Sequence, residues 1–182
     1  MTDNGPNTDG SKVEEQIDVV ANGGTQDGVV DASAKFGKVL AAPEALLMTG
    51  EQVIAKVKSL NLQPGTFIVF GSGPLAVAGI RGVRDIDMVV SESVAAQLEA
   101  AGWKRIDKGP NDTPLAHDVF EAHTGQWNFS PHTPTLEQLL EGATIVDGVP
   151  FASLEEVRGW KTASGGPKHL KDVAAIDDHF RK

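Results

Sequence analysis

One stretch, residues 66–90, constrains the fold of this chain more than any other. Its apolar run at 67–70 is short, β-branched and aromatic, which favours a buried strand over a helix. Gly-Ser-Gly-Pro at 71–74 ends the run, and proline suits the first turn of a helix, so we expect a helix to begin near Pro74. The predicted order is therefore strand, glycine-rich turn and helix, and amides at such a helix start attract anions.

Two aspartates open the next strand of the same stretch. Asp85-Ile86-Asp87 leads into an apolar run, and the period of two along a strand places Asp85 and Asp87 on one face and Ile86 on the other. Carboxylates this close repel each other unless a cation lies between them. The pair predicts a cation site, and the alternative is a pair of solvent-facing acids on an edge strand.

The first part of the chain differs in composition from the rest. Residues 1–35 are rich in Asn, Gly, Asp, Thr and Ser, and hold seven acidic residues against two lysines. They contain too little apolar surface to offset the entropy cost of ordering. We expect a disordered acidic tail at 1–35, or a valine segment of it docked as an edge strand, and one domain at 36–182.

Composition excludes several classes of function. The 182-residue chain has no cysteine, so any metal site must use oxygen or imidazole ligands. A net charge of -9 argues against nonspecific nucleic-acid binding. The first ten residues carry no basic, apolar leader and no window approaches a membrane span, so we expect a cytoplasmic protein with no membrane partner.

The remaining elements follow from local signals. Capping residues and apolar spacing predict helices that begin at Thr49, Ser91, residues 133–138 and Ser153, with a last helix over 168–180. Strands are predicted at 103–106 and as a single strand at 115–122, and Asp147-Gly148 predicts a hairpin at 144–151. This alternation of strands and helices predicts an α/β (α+β) fold with a mixed sheet and two C-terminal helices.

Together these motifs resemble the minimal nucleotidyltransferases of the DNA polymerase β superfamily. Their signature is an apolar strand, Gly-Gly or Gly-Ser, a short helix and Asp-x-Asp on the next strand, which corresponds here to Gly71-Ser72 and Asp85-Ile86-Asp87. A second block, from Ile145 to Val173, resembles the C-terminal part of small bacterial and phage members. The resemblance covers roughly residues 49–181 and implies a small mixed sheet flanked by helices.

The resemblance also implies a third carboxylate on a neighbouring strand. Glu121 is the preferred residue, because Phe120-Glu121-Ala122 has the apolar–acid–apolar form and strand alternation puts it on the more polar face. Asp118 is the alternative, although it would share a face with Phe120.

The chemistry implied is nucleotidyl transfer from a nucleoside triphosphate, ATP among them, to an acceptor hydroxyl on a small molecule, an RNA end or a protein. Mg²⁺, or Mn²⁺ in its place, neutralises phosphate charge in such reactions, and carboxylates are its preferred ligands. Asp85 and Asp87 would hold two ions, and Glu121 would complete one site and help activate the acceptor.

Nucleotide contacts implied by the resemblance involve glycine, serine and basic residues. Gly71 and Ser72 would receive the triphosphate, and the guanidinium groups of Arg81 and Arg84 would bind phosphate oxygens. Lys168 also matches a position in the last helix of relatives.

Two positions depart from that family pattern. Gly166 stands where an arginine is usual, and His169 stands where an aspartate is usual. We expect Lys161, Lys168 and Lys171 to form a solvated helix face more readily than phosphate contacts.

Other kinds of function are compatible with the sequence. The five histidines lack the spacing of a zinc site. A non-catalytic nucleotide-binding module, such as the regulatory half of a toxin–antitoxin pair with a protein partner, is the alternative to an enzyme. The two acids of Asp-x-Asp argue against it, because a pure binder has little need of them.

Overall fold

The computed structural model describes residues 47–109, 112–124 and 132–182. The predicted tail at 1–35 lies outside the described residues. Within them the helices are α1 (Gly50–Ser59), α2 (Gly73–Val77), α3 (Glu92–Ala100), α4 (Leu136–Glu141), α5 (Leu154–Ser164) and α6 (Pro167–Phe180). The strands are β1 (Phe67–Val69), β2 (Ile86–Val90), β3 (Lys104–Arg105), β4 (Leu115–His117), β5 (Phe120–His123), β6 (Thr144–Val146) and β7 (Val149–Phe151).

The described strands form one mixed sheet in the order β3-β4-β5-β2-β1-β7-β6. β2 is antiparallel to β1 and parallel to β5, and β1 is parallel to β7. The predicted mixed α/β (α+β) architecture with two C-terminal helices is confirmed. β2 therefore lies inside the sheet, and the predicted alternative of an edge strand for its aspartates is wrong.

Helix boundaries follow the predicted capping residues. Thr49 accepts a hydrogen bond from the Gln52 amide, and the Gln52 side chain accepts one from Thr49, which completes a capping box. Ser91 and Ser153 cap α3 and α5 in the same position through their hydroxyl groups. None of the described helices has both the length and the apolarity needed to cross a bilayer.

The predicted single strand at 115–122 is wrong. Its residues form the β4–β5 hairpin, in which His117 pairs with Phe120 around a two-residue turn at Asp118 and Val119. Asp118 adopts a positive φ of 52°, a left-handed conformation that aspartate tolerates better than most residues. The turn contains no glycine or proline, so the usual sequence signal for a reversal is absent.

The core lies on both faces of the sheet because alternate residues of β1 point to opposite sides. Phe67 and Val69 pack in a cluster with α1 and α3, whereas Ile68 and Phe70 pack in a second cluster with α4, α5 and α6. Val89 of β2 belongs to the second cluster. The period of two then places Asp87 on the same face as α5 and α6.

Candidate metal centre

The glycine-rich turn and the second aspartate of the Asp-x-Asp motif are in direct contact. Gly71 has a φ of +62°, and a Cβ atom at this position would lie 2.1 Å from Oδ2 of Asp87. The Phe70 amide donates to the Asp87 carbonyl oxygen at 2.9 Å, which fixes the start of the turn against β2. Only glycine lets the backbone approach the carboxylate this closely.

Two residues of β5 join Asp87 at this point. The parallel register places Glu121 opposite Asp87 and His123 opposite Val89. One potential ligand atom from each of Asp87, Glu121 and His123 lies within 4.8 Å of the other two. The structure thus brings together two carboxylates and an imidazole from adjacent strands, and we call these three residues the acid–histidine cluster.

The other two candidate carboxylates have different positions. Asp85 precedes β2 and lies outside the acid–histidine cluster, although its charge acts on Asp87. Asp118 is exposed at the hairpin turn, where it forms an ion pair of 2.8 Å with Lys56. Of the two alternatives for a third carboxylate, the structure brings Glu121 and not Asp118 to Asp87.

The negative charge of the Asp87 carboxylate is only partly balanced by nearby positive charges, and we call this imbalance the charge deficit at Asp87. Burial, followed by repulsion from Asp85 and Glu121, raises the pKa of Asp87 from 3.8 to about 7, and Lys108 and Lys161 only partly oppose this rise. No hydrogen bond to the Asp87 carboxylate is found within the described part of the chain. A divalent cation would relieve this repulsion and favour the ionised carboxylate.

Lys108 supplies the nearest compensating charge. Its Nζ atom donates a hydrogen bond to Oε2 of Glu121. Burial alone would lower the pKa of Lys108, but the hydrogen bond to Glu121 and the charges of Glu121, Asp87 and Asp112 together outweigh it, and the pKa is raised. The ammonium therefore stays protonated and neutralises Glu121 more directly than Asp87.

The imidazole of His123 is neutral at physiological pH. Burial lowers its pKa from 6.5 to about 4, with Lys108 acting in the same direction and Glu121 opposing. Nδ1 of His123 lies 3.4 Å from Oδ1 of Asp112. A neutral imidazole is the form that binds metal ions.

A second, largely buried polar group joins the glycine-rich turn through Ser72. Arg81 donates two hydrogen bonds to Asp172, of 2.7 and 2.8 Å, and one of 2.9 Å to Oγ of Ser72. Nζ of Lys161 lies 2.9 Å from Oδ2 of Asp172 and 3.5 Å from Oγ of Ser72. We call these four residues, Ser72, Arg81, Lys161 and Asp172, the buried ion network.

The prediction of a solvated face for Lys161 is wrong, because its side chain is 2 % exposed. Its charge is compensated by Asp172, the α6 carboxylate packed against it. Lys168 and Lys171 are exposed, as predicted.

The residues predicted to contact nucleotide are divided between interior and surface. Gly71 and Ser72 are buried, and α2 is a single short turn whose first four residues are buried too. The Arg81 guanidinium donates two of its hydrogen bonds to Asp172. Arg84 and Lys168 are exposed and able to reach a ligand from solvent.

The sequence did not single out His123 of the acid–histidine cluster, Asp172 of the buried ion network, or Lys108, the hydrogen-bond partner of Glu121. The period of two did carry a signal for His123, since it places residue 123 on the same strand face as Glu121. No local pattern links Lys108 to Glu121 or Asp172 to Lys161, because loop conformation and helix packing bring those pairs together.

Comparisons of the chain with protein-family models, with curated proteins and with solved structures give no match. The acid–histidine cluster has a chemistry suited to binding a cation. Its two carboxylates are hard oxygen ligands, and the charge deficit at Asp87 is the kind that a divalent cation offsets. These residues fit a divalent cation.

Proposed function

We propose that this protein is a cytoplasmic nucleotidyltransferase that moves a nucleoside monophosphate from a nucleoside triphosphate to an acceptor hydroxyl. The observation that carries the proposal is the position of Asp87, which lies under Gly71 and beside Glu121 with its carboxylate short of positive charge. This unites the glycine-rich turn, Asp-x-Asp and a third acid, the three motifs for which the sequence resembles the polymerase β superfamily.

Asp87 and Glu121 would hold a divalent cation, Mg²⁺ or Mn²⁺, and Asp85 would contribute at the entrance to β2. A bound ion of this kind neutralises charge on the α-phosphate and on the departing pyrophosphate. Asp85 is the candidate to hold a second ion, since its charge already acts on Asp87.

The protein's own groups then have separate tasks. A carboxylate of the site accepts the proton of the acceptor hydroxyl, and Glu121 is the candidate because it lies beside Asp87. Arg84 and Lys168, which are exposed, are candidate cations for binding phosphate oxygens. Ser72 and Arg81 stabilise the turn through the buried ion network, because the Arg81 guanidinium donates to Ser72 and to Asp172. In this arrangement their side chains bind each other and Asp172, not substrate.

The decisive assay incubates the protein with each labelled NTP, Mg²⁺ and pools of small molecules, RNA and protein, and detects the labelled acceptor by mass spectrometry. Asp87→Asn keeps the size of the side chain and removes its charge, and we expect a loss of transfer of about 10²–10³-fold or more.

Asp118→Asn is the matched control, because it removes the charge of an aspartate that lies at the exposed turn of the β4–β5 hairpin, outside the acid–histidine cluster. It should transfer at the wild-type rate. Equal transfer by wild type and Asp87→Asn would contradict the proposal.

A second candidate function is a non-catalytic nucleotide-binding module with a protein partner. The hydrogen bond from Lys108 to Glu121 favours it, because a side chain already supplies one cation to the cluster. This alternative predicts nucleotide binding with no transfer to any acceptor pool, together with a tight protein partner in pull-down experiments.

A further inference from the structure

We infer that His123 is a metal ligand alongside Asp87 and Glu121, and that it gives the site a preference for a first-row transition ion over Mg²⁺. The inference rests on the proposed function, because it specifies the cation of the same site. It concerns a residue type that the Asp-x-Asp motif does not include.

The geometry of β5 supports this role for His123. Glu121 and His123 are two residues apart on one strand, so both side chains lie on the same face of the sheet. The parallel pairing with β2 brings this face to Asp87. The His123 side chain is 11 % exposed, so its imidazole is held within the protein beside the two carboxylates.

A carboxylate outside the cluster, that of Asp112, lies beside the His123 ring and independently supports this role. The Asp112 carboxylate lies 3.4 Å from Nδ1 of His123, and it comes from the loop between β3 and β4, outside the acid–histidine cluster. Histidines that bind metals commonly donate one ring N–H to a carboxylate and coordinate the ion through the other nitrogen, which fixes the ring. Asp112 would accept the N–H of the His123 ring, and the other ring nitrogen would bind the ion together with Asp87 and Glu121.

The donor set determines which ions are favoured. Mg²⁺ strongly prefers oxygen ligands and retains much of its water, whereas imidazole nitrogen favours transition ions. A site with two carboxylates and one imidazole therefore discriminates against Mg²⁺ more than a site of carboxylates alone. The site is therefore expected to bind a divalent first-row transition ion, and Mn²⁺, which takes carboxylate oxygens as well, is a paramagnetic probe for it.

The test uses Mn²⁺ alone as a spectroscopic probe of the full chain. Electron spin echo envelope modulation of the Mn²⁺-loaded wild type should show coupling to a histidine nitrogen. Labelling histidine with ¹⁵N should change that signal, and His123→Gln should remove it. His179→Gln, on α6, is the matched control and should retain the coupling.

Competition between Mn²⁺ and Mg²⁺ gives a second readout, measured from the signal of free Mn²⁺. In His123→Gln, the ratio of the Mg²⁺ to the Mn²⁺ dissociation constant should fall about tenfold relative to wild type. Asp112→Asn should lower the ratio in the same direction by a smaller factor. Far-ultraviolet circular dichroism of each variant establishes that it is folded.

Bound Mn²⁺ without nitrogen coupling, or an unchanged ratio in folded His123→Gln, would overturn the assignment of His123. Absence of Mn²⁺ binding to the wild type would overturn it as well. Transfer of label by the wild type in Mg²⁺ remains a separate measurement, so this inference can fail while the proposed function stands.

Discussion

Asp87 is partly buried and Asp172 is almost fully buried, and their surroundings shift the pKa values of the two carboxyl groups in opposite directions. At Asp172, burial would raise the pKa, but hydrogen bonds from Arg81 and Lys161 outweigh it and the pKa is lowered. At Asp87, burial and two neighbouring acids raise the pKa to about 7. The difference separates a carboxylate whose charge is balanced by Arg81 and Lys161 from one whose charge is only partly balanced by Lys108 and Lys161.

The two regions share the Gly71-Ser72 turn. Ser72 accepts a hydrogen bond from Arg81 in the buried ion network, whereas the adjacent Gly71 lies against the Asp87 carboxylate. The network joins the turn to α5 and α6 through Lys161 and Asp172. It therefore holds in place the Gly71-Ser72 backbone that contacts the Asp87 carboxylate. We interpret the network as the structural support of the acid–histidine cluster.

The largest effect on stability is expected from Asp172→Ala. This change leaves Lys161 buried without its carboxylate and removes the two carboxylate oxygens that accept from Arg81. Losing one partner of a buried ion pair costs about 3–5 kcal/mol. Urea denaturation measures the change in the free energy of unfolding. Asp118→Ala, which breaks an exposed pair with Lys56, is the control and should change the free energy of unfolding little, because solvent screens exposed ion pairs. Similar decreases in the free energy of unfolding in the two variants would contradict a stabilising role for the buried ion pairs of Asp172.

A smaller effect of opposite sign is expected from Asp87→Asn in the metal-free chain. The folded state binds the Asp87 proton more tightly than the unfolded state, so the penalty is absent below pH 3.8 and complete above about pH 7. At 1.36 kcal/mol per pKa unit this amounts to at most roughly 4 kcal/mol, so the variant should gain stability over wild type as pH rises from 4 to 7.

Unfolding free energies measured across this pH range with a chelator present provide the check. The contribution of Asp172 has the reverse dependence: its lowered pKa stabilises the fold above pH 3.8 and the stabilisation is lost as the pH falls below that value. A difference between wild type and Asp87→Asn that does not change with pH would be inconsistent with a raised pKa at Asp87.

Local signals predicted the parts of the fold that depend on neighbouring residues. Thr49 and Ser91 begin helices as expected, and Asp147-Gly148 reverses the chain between β6 and β7. The hairpin at Asp118 was missed because its positive φ occurs without glycine.

The site was only partly predictable for a related physical reason. The period of two predicted one strand face for Asp85 and Asp87, but β2 begins at Ile86 and Asp85 lies outside the cluster. The parallel pairing of β2 with β5 decided which acid lies opposite Asp87. Strand pairing is a long-range contact that no local pattern specifies. The same holds for Lys161, whose burial depends on the packing of α5 against α6.

We propose above all that Asp87, whose charge is only partly balanced within the protein, binds a divalent cation. Calorimetric titration of Mg²⁺ and Mn²⁺ into wild type and Asp87→Asn, at pH 7.5 and without nucleotide, tests this claim most directly. The account predicts saturable binding of at least one of the two ions by the wild type and its loss in the folded variant. Binding that is equal in the two proteins, or absent from the wild type, would contradict it.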